Sequence, residues 1–203
     1  MFGKKKTEEA KKEEQKYTWQ QNVALYLHDM ICMLVVVMAV LMLFLRIIVV
    51  DGPSMERTLL NGDYMLLVSN MFYKEPKYGD VVVVSKQAYD NGKPIVKRVI
   101  ATAGQTVDID FNLGQVYVDG ELLDEDYIND YTYREEGTVF PLTVPEGEVF
   151  LMGDNRNHSN DSRDSSLGTV DTRLLIGKAV FLVFPGRDYL TEQREFGRIG
   201  LLK

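Results

Sequence analysis

Three polar stretches of this 203-residue chain carry groups able to act together: GPSMERTL at 52–59, PIVKRVIA at 94–101 and GDNRNHSNDSR at 153–163. Ser54 in the first is a candidate nucleophile. A serine hydroxyl attacks a carbonyl usefully only when a neighbouring base removes its proton, so the available bases decide what Ser54 can do. The chain has 2 histidines. His28 lies at the N-terminal edge of a long apolar run, on the far side of it from Ser54. His158 stands in a polar loop, where it is either a solvated residue or the base of a Ser-His-Asp arrangement. Lys97 is the other candidate. An ordinary lysine is neutral only about 0.04 % of the time at pH 7, and burial raises that share by lowering the pKa. The two-residue period of a strand puts Lys97 on one face with Ile95, Val99 and Ala101, and Arg98 on the other with Val96 and Ile100. The pattern does not decide which face is buried, and a surface lysine on an edge strand fits it too.

The third stretch packs Asp154, Arg156, Ser159, Asp161, Ser162 and Arg163 into ten residues. By composition it is a hydrophilic loop. Its alternation of acid, hydroxyl and arginine also suits a paired network that holds a lysine amine in place.

The elements that position these stretches differ along the chain. Residues 30–45 are uncharged and mostly apolar, and RIIVV carries the run to residue 50 with Arg46 as its only charge. As a helix these 21 residues span roughly 31 Å, enough to cross a bilayer. A cleaved secretory signal is a poorer match, because RIIVVDG offers no small-x-small cleavage site. Six lysines precede the run, which by the positive-inside tendency puts the N-terminus in the cytoplasm and everything after residue 50 outside. The expected layout is a Lys/Glu-rich cytoplasmic tail at 1–29, a transmembrane anchor at 30–50 and an extracytoplasmic domain at 51–203.

Beyond the anchor the pattern becomes that of strands: YMLLV (64–68), DVVVVSK (80–86), PIVKRVIA (94–101), TVDID (106–110), QVYVD (115–119), EVFLM (148–152) and KAVFLVF (178–184), separated by turn signals such as NG, DG and PEG. Short runs rich in β-branched and aromatic residues indicate an all-β domain, as a barrel or a folded sheet. The acidic stretch at 121–138 reads as a surface excursion or lid, with a lid-like region extending to about 146.

Charge excludes one class of function. Residues 1–50 carry 7 Lys+Arg against 5 Asp+Glu, and residues 51–203 carry 16 against 25, within a net charge of −7. An acidic soluble portion is poorly suited to phosphate backbones, so no nucleic acid partner is expected. The single cysteine, Cys32, permits no internal disulfide. Calcium-loop spacing fails in the acidic stretch, since no glycine follows Asp124 or Asp126 at the sixth loop position; neither a metal nor a cofactor is expected.

Together and in this order, GPSMERTL, YGDVVVV, KRVIATAGQTV, GDNRNHSNDSR and IGKAVFLVFP resemble the bacterial type I signal peptidases, Ser-Lys enzymes that cut signal peptides from exported preproteins. The resemblance runs from the apolar run to about Pro185, in the single-anchor form seen in Gram-positive bacteria. It implies coiled antiparallel β-sheets, a barrel-like catalytic core and a more variable lid. It implies Ser54 as nucleophile and Lys97 as general base, with Ser159 orienting the lysine amine. Asp154, Arg98, Asp161 and Arg163 would supply supporting ion pairs, and Met55 would help shape the substrate site. Exported preproteins and membrane lipid are the implied partners, and the bacterial cell membrane is the implied location, with the catalytic domain outside.

Two positions depart from the family pattern. Arg57 stands where the family usually has proline, and Gly52 stands where some members carry a serine whose hydroxyl is an oxyanion donor. The Ser54 amide is the one donor that can be named here. Two other readings remain: a self-cleaving Ser-Lys protein of the repressor type, and a membrane-tethered, non-catalytic β-domain that binds peptides, with Ser54 merely in a turn.

Overall fold

The structure, a computed structural model, describes residues 18–188 and 192–202. Most of the Lys/Glu-rich tail expected at 1–29, namely 1–17, lies outside the described residues. The chain divides into two units, one ending at Leu41 and one running from Met42 onward.

The first unit is dominated by helix α1, Trp19–Phe44. Its start is fixed by a capping box. The Thr18 N–H donates to Gln21 Oε1 at 2.8 Å, and the Gln21 N–H donates to Thr18 Oγ1 at 3.3 Å, so each satisfies the other's free helix-end group. The helix has 26 residues and is long and apolar enough to cross a membrane. It begins well before residue 30 and does not reach residue 50. Leu45–Val49 forms strand β1 instead, antiparallel to β2, Tyr64–Ser69, with Leu45 opposite Val68 and Val49 opposite Tyr64. The expected helical span of 30–50 is therefore corrected at both ends. Beyond Phe44 three consecutive β-branched residues, Ile47 to Val49, favour a strand that can pair, and the ladder satisfies the backbone groups a continued helix would have used.

The second unit holds two antiparallel sheets. The remaining strands are β3 Val81–Val84, β4 Ile95–Thr102, β5 Thr106–Asp110, β6 Gln115–Val118, β7 Glu121–Leu122, β8 Leu142–Thr143, β9 Glu148–Met152, β10 Val170–Asp171, β11 Leu175–Phe184 and β12 Gly200–Leu201. The larger sheet runs β1-β2-β11-β3-β4-β9-β10, with β12 against β11; the smaller runs β7-β6-β5-β8. Each of the seven stretches read from sequence as strands falls on one, and β11 begins three residues earlier than its stretch, at Leu175. The fold is all-β after the helix, with the larger sheet curled so that β1 and β4, with three strands between them, line one cavity.

Burial explains the patterns. β5 and β6 alternate, because Val107, Ile109, Val116 and Val118 point into one apolar cluster that includes Ile100, Phe150 and Met152 of the larger sheet. β3 is four consecutive buried valines, because its two faces serve different cores. Val81 and Val83 pack with Met55, Leu59 and Leu67, whereas Val82 and Val84 pack with Val99 and Leu151. β4 lies beside it and is covered on both faces as well. Lys97 and Arg98 are consequently both buried, at 3 % and 1 % exposure, which settles what period-two reasoning left open.

The segment after β7 has no regular structure up to β8 apart from an isolated bridge between Gly137 and Asp164. It differs from a plain surface excursion, because several of its side chains turn inward to the site described next.

Candidate active site

Ser54 sits in the turn that follows β1. The Gly52 N–H donates to Asn61 Oδ1 at 3.0 Å, and Gly52 holds a φ of 101°, a conformation that costs a residue with a Cβ. Beyond it, the N–H of Leu59 donates to the carbonyl of Met55 at 2.8 Å and closes a helical turn. Met55 and Leu59 are buried in the cluster with Val50 and Val83 and peg this turn to the sheet. Met55 thus supports the site from beneath and is not among the residues lining the cavity beside Ser54. From the other side, the backbone N–H of Asn155 donates to the Ser54 carbonyl and its side-chain amide donates to the Pro53 carbonyl, each at 3.1 Å.

Lys97 reaches Ser54 from β4. Its Nζ is 2.7 Å from Ser54 Oγ, and among the described residues it forms no ion pair. Burial lowers its pKa to about 8; Asp161, Asp154 and Glu136 oppose that shift, and Arg163 adds to it. The neutral share at pH 7 then rises from about 0.04 % to on the order of 10 %. His158 is exposed and makes no hydrogen bond to Ser54 among the described residues.

Two fully buried ion pairs frame the lysine. Arg98 clasps Asp154 through Nε and Nη2 at 2.8 and 2.7 Å, and also donates to the Gly79 carbonyl and the Thr58 hydroxyl. Arg163 clasps Asp161 through Nε and Nη2, both at 2.8 Å. Burial alone would raise the Asp161 pKa. Arg163, the Gly153 N–H at 2.9 Å and the Ser159 hydroxyl at 2.7 Å outweigh it and hold the carboxyl below its ordinary range. Ser159, expected to orient the lysine amine, is buried, but its hydroxyl donates to Asp161 and makes no hydrogen bond to the Lys97 amine among the described residues. The lysine is instead committed to Ser54, so Ser159 reaches it only by way of Asp161.

Sequence reading counted Arg156 in the polar stretch without giving it a role, and missed what covers it. Arg156 lies within the polar stretch and is fully buried. It pairs with Glu125 at 2.8 and 2.5 Å and donates to Thr132 Oγ1 at 3.0 Å. Tyr127 lays its ring 4.0 Å from the Arg98 guanidinium, a cation–π contact. Glu125, Tyr127 and Thr132 all come from the acidic stretch. The only signal for them was the rule that a buried arginine needs a carboxylate, which does not say which carboxylate. Arg57, in the place of the family proline, donates to the carbonyls of Asp126 and Ile128 at 3.4 and 3.3 Å and ties the nucleophile's turn to the same segment.

Gly153 is required by close approach. A Cβ there would stand 2.3 Å from Ser159 Oγ and 2.5 Å from the Ser54 carbonyl. Gly153→Ala is therefore expected to push the Ser54 turn away from Lys97 and to lower kcat by at least about 100-fold, since misplacements near 1 Å can cost that much. Turnover by the purified, folded variant reads the effect, and near-wild-type turnover would show that the turn has slack.

An apolar cavity of about 330 Å³ opens beside the pair, lined by Ile48, Val49, Val50, Val83, Ile95 and Val96 together with Ser54 and Lys97. The exposed ion pair Asp51–Lys93, 2.8 Å long, stands at its rim. β1 is the end strand of its sheet, and β4 pairs with β9 only from Arg98 onward. Among the described residues, both strands that line this cavity thus have a stretch of edge without a partner strand. Among the described residues no cluster of three or more His, Cys, Asp or Glu side chains is arranged to hold a metal ion.

Residues 23–184 match the family described as signal peptidase, peptidase S26. A probable signal peptidase I-1 from Synechocystis is 40 % identical over 165 residues, covering 75 % of this chain and 80 % of the relative. A signal peptidase I from Bacillus licheniformis is 33 % identical over 144 residues, covering 67 % of this chain and 75 % of the relative. Among solved structures, a crystal structure of a signal peptidase I from Enterococcus faecalis is 30 % identical, with a TM-score of 0.44 over 52 % of this chain and 97 % of that one.

Proposed function

Since the chain belongs to the signal peptidase family, peptidase S26, and is a peptidase of that family, we propose that it removes N-terminal signal peptides from exported preproteins through Ser54 and Lys97. The observation that carries the assignment of these two residues is the 2.7 Å contact between Ser54 Oγ and a buried amine that forms no ion pair among the described residues. With Lys97 neutral, the hydroxyl donates to Nζ and is set up to lose its proton along that bond. Ser54 Oγ attacks the −1 carbonyl of the substrate as Nζ takes the proton, and the oxyanion faces the Ser54 N–H. The ammonium then protonates the departing amine, leaving a serine ester. Water attacks this ester as neutral Lys97 takes a proton from it. The signal peptide leaves with a free carboxylate, and Ser54 recovers its hydrogen from Lys97.

The cavity accounts for substrate choice. A substrate strand laid along the free edges of β1 and Ile95–Lys97 gains main-chain hydrogen bonds, and its alternate side chains point into the same wall. Positions −1 and −3 then share the apolar cavity beside Ser54, and small side chains at both are what membership of the signal peptidase family implies. Helix α1 serves as the anchor, and the lysine-rich region before it faces the cytoplasm. Ser54 is ten positions beyond Phe44, so the nucleophile lies within roughly 35 Å of the helix end along the chain. Enzyme and preprotein held in one membrane meet at raised effective concentration.

The test is cleavage of a preprotein by the full chain in liposomes, with the product's new N-terminus sequenced. Cleavage after a small residue with a second small residue two positions before it is expected. No cleavage, or cleavage after large side chains, would sink the assignment.

A further inference from the structure

The cavity beside Ser54 has one wall from β1 and one from the start of β4, and among the described residues one ion pair joins these walls across the mouth. Lys93, two residues before the start of β4, donates through Nζ to Asp51 Oδ2, two residues beyond the end of β1, at 2.8 Å. Both side chains line the cavity, and both are largely exposed. The pairing lowers the pKa of the Asp51 carboxyl and raises that of Lys93, to which Asp90 on the same wall adds. Both groups are therefore charged at neutral pH.

The backbone beneath each partner is fixed. On the β1 side the Val50 N–H donates to the Asp63 carbonyl and the Gly62 N–H to the Val50 carbonyl, both at 2.8 Å, and Asn61 holds the Gly52 N–H. On the β4 side the Lys93 N–H donates to the Asp90 carbonyl at 3.0 Å, and Ser85 Oγ donates to the Gly92 carbonyl at 2.6 Å. Asp90, Asn91 and Gly92 take left-handed φ values of 47°, 53° and 77°, a tight turn that delivers Lys93 to the mouth. The walls are thus preformed, and rotation about side-chain bonds is enough to part the pair. An exposed ion pair holds weakly and is screened by salt.

A preprotein segment that reaches Ser54 continues at both ends, into the signal peptide on one side and the exported protein on the other. It cannot be threaded under a closed contact and must enter the groove sideways, through the mouth. Once seated between two strands it lies about 4.8 Å from each, in the gap that the Asp51 and Lys93 side chains bridge. We propose that the Asp51–Lys93 pair is a strap across the substrate groove, shut in the free enzyme, which a preprotein segment parts in order to seat against β1 and Ile95–Lys97. The inference rests on the reading of Ser54, Lys97 and their cavity given above. The strap is open both with substrate bound and in the transition state, so it withholds affinity and leaves the chemical step alone. Asp51 and Lys93 thereby set the access of substrates without touching the reacting atoms.

The experiment is steady-state cleavage of a preprotein by the full chain in liposomes, at low and high salt, for wild type, Lys93→Met, Asp51→Asn and the reversed pair Asp51→Lys with Lys93→Asp. Ser54→Ala is the control, and circular dichroism checks folding. Each single variant removes the strap and is expected to lower KM by about two- to fivefold, the range an exposed ion pair supports, with kcat unchanged. The reversed pair closes the mouth again and is expected to return KM toward the wild-type value, which separates the strap from any effect of one side chain alone. The advantage of the single variants over wild type should fade at high salt, where the wild-type pair is screened. An unchanged KM in both single variants would overturn the proposal. So would a raised KM, which would mean that the pair grips the substrate, or a changed kcat, which would mean that it acts on the chemistry. If wild type cleaves no preprotein, or Ser54→Ala cleaves as fast as wild type, the reading of the site itself has failed. An active wild type and inert Ser54→Ala, with Lys93→Met and Asp51→Asn matching wild type, removes only the strap.

Discussion

Ser54→Ala and Lys97→Ala are each expected to reduce kcat by a factor on the order of 10⁴ or more, and the double variant to be no slower than either alone. Proton transfer by a positioned base contributes about 10²–10⁴, and losing the nucleophile forfeits the covalent route altogether. Residues that act as one unit do not add, because once either is gone the other has nothing to do. Both single variants should stay folded. Lys97 has no ion pair among the described residues, so its removal orphans no buried charge and leaves a small void. Steady-state cleavage of a preprotein, with circular dichroism as the check on folding, measures all three variants. A double variant slower than either single one, approaching the product of the two single losses, would mean that the residues act independently.

Asp161→Asn is expected to cost the most stability. The carboxylate is fully buried and receives hydrogen bonds from Arg163, Gly153 and Ser159, and Arg163 is itself fully buried. Neutralising one partner leaves an uncompensated buried guanidinium, a change that costs about 3–5 kcal/mol. For a chain of this size that corresponds to a Tm lower by roughly 6–20 °C. The pH dependence follows from the direction of the Asp161 shift. Its folded-state pKa lies below the unfolded value, so its contribution is present above the unfolded pKa of about 3.9 and is lost as pH falls through the folded value. Thermal melts of wild type and variant should therefore differ widely near neutral pH and converge in acid. Equal melting temperatures near pH 7 would show that the pair does not support the fold.

Much of this was legible in the sequence because the signals are local. A run such as TVDID or EVFLM takes its strand character from its own residues, and GDNRNHSNDSR concentrates the buried ion-pair network in eleven positions. What was not legible depends on what lies across from a residue. LRIIV continues an apolar run and looks like more helix, and only its ladder with Tyr64–Val68 makes it a strand. Alternation could not choose between Lys97 and Arg98, because β4 sits inside a curled sheet and is covered on both faces. The acidic stretch reads as surface because most charged side chains are solvated. Glu125 is an exception only because Arg156, 31 positions downstream, is buried beneath it. Ser159 was expected to touch the lysine, and the geometry of its two-residue hop to Asp161 gives it a different partner.

The central claim is that a buried, neutral Lys97 is the base that activates Ser54, and the pH dependence of kcat/KM for preprotein cleavage by the wild-type chain tests it most directly. In the free enzyme this profile reports the ionisation of the essential base. Activity should rise with pH along a single limb with its midpoint near 8, the value to which burial brings Lys97, and His158→Asn should leave that limb in place. A midpoint near 6.5, the range of an ordinary histidine, that disappears in His158→Asn would contradict the account and return the role of base to the loop.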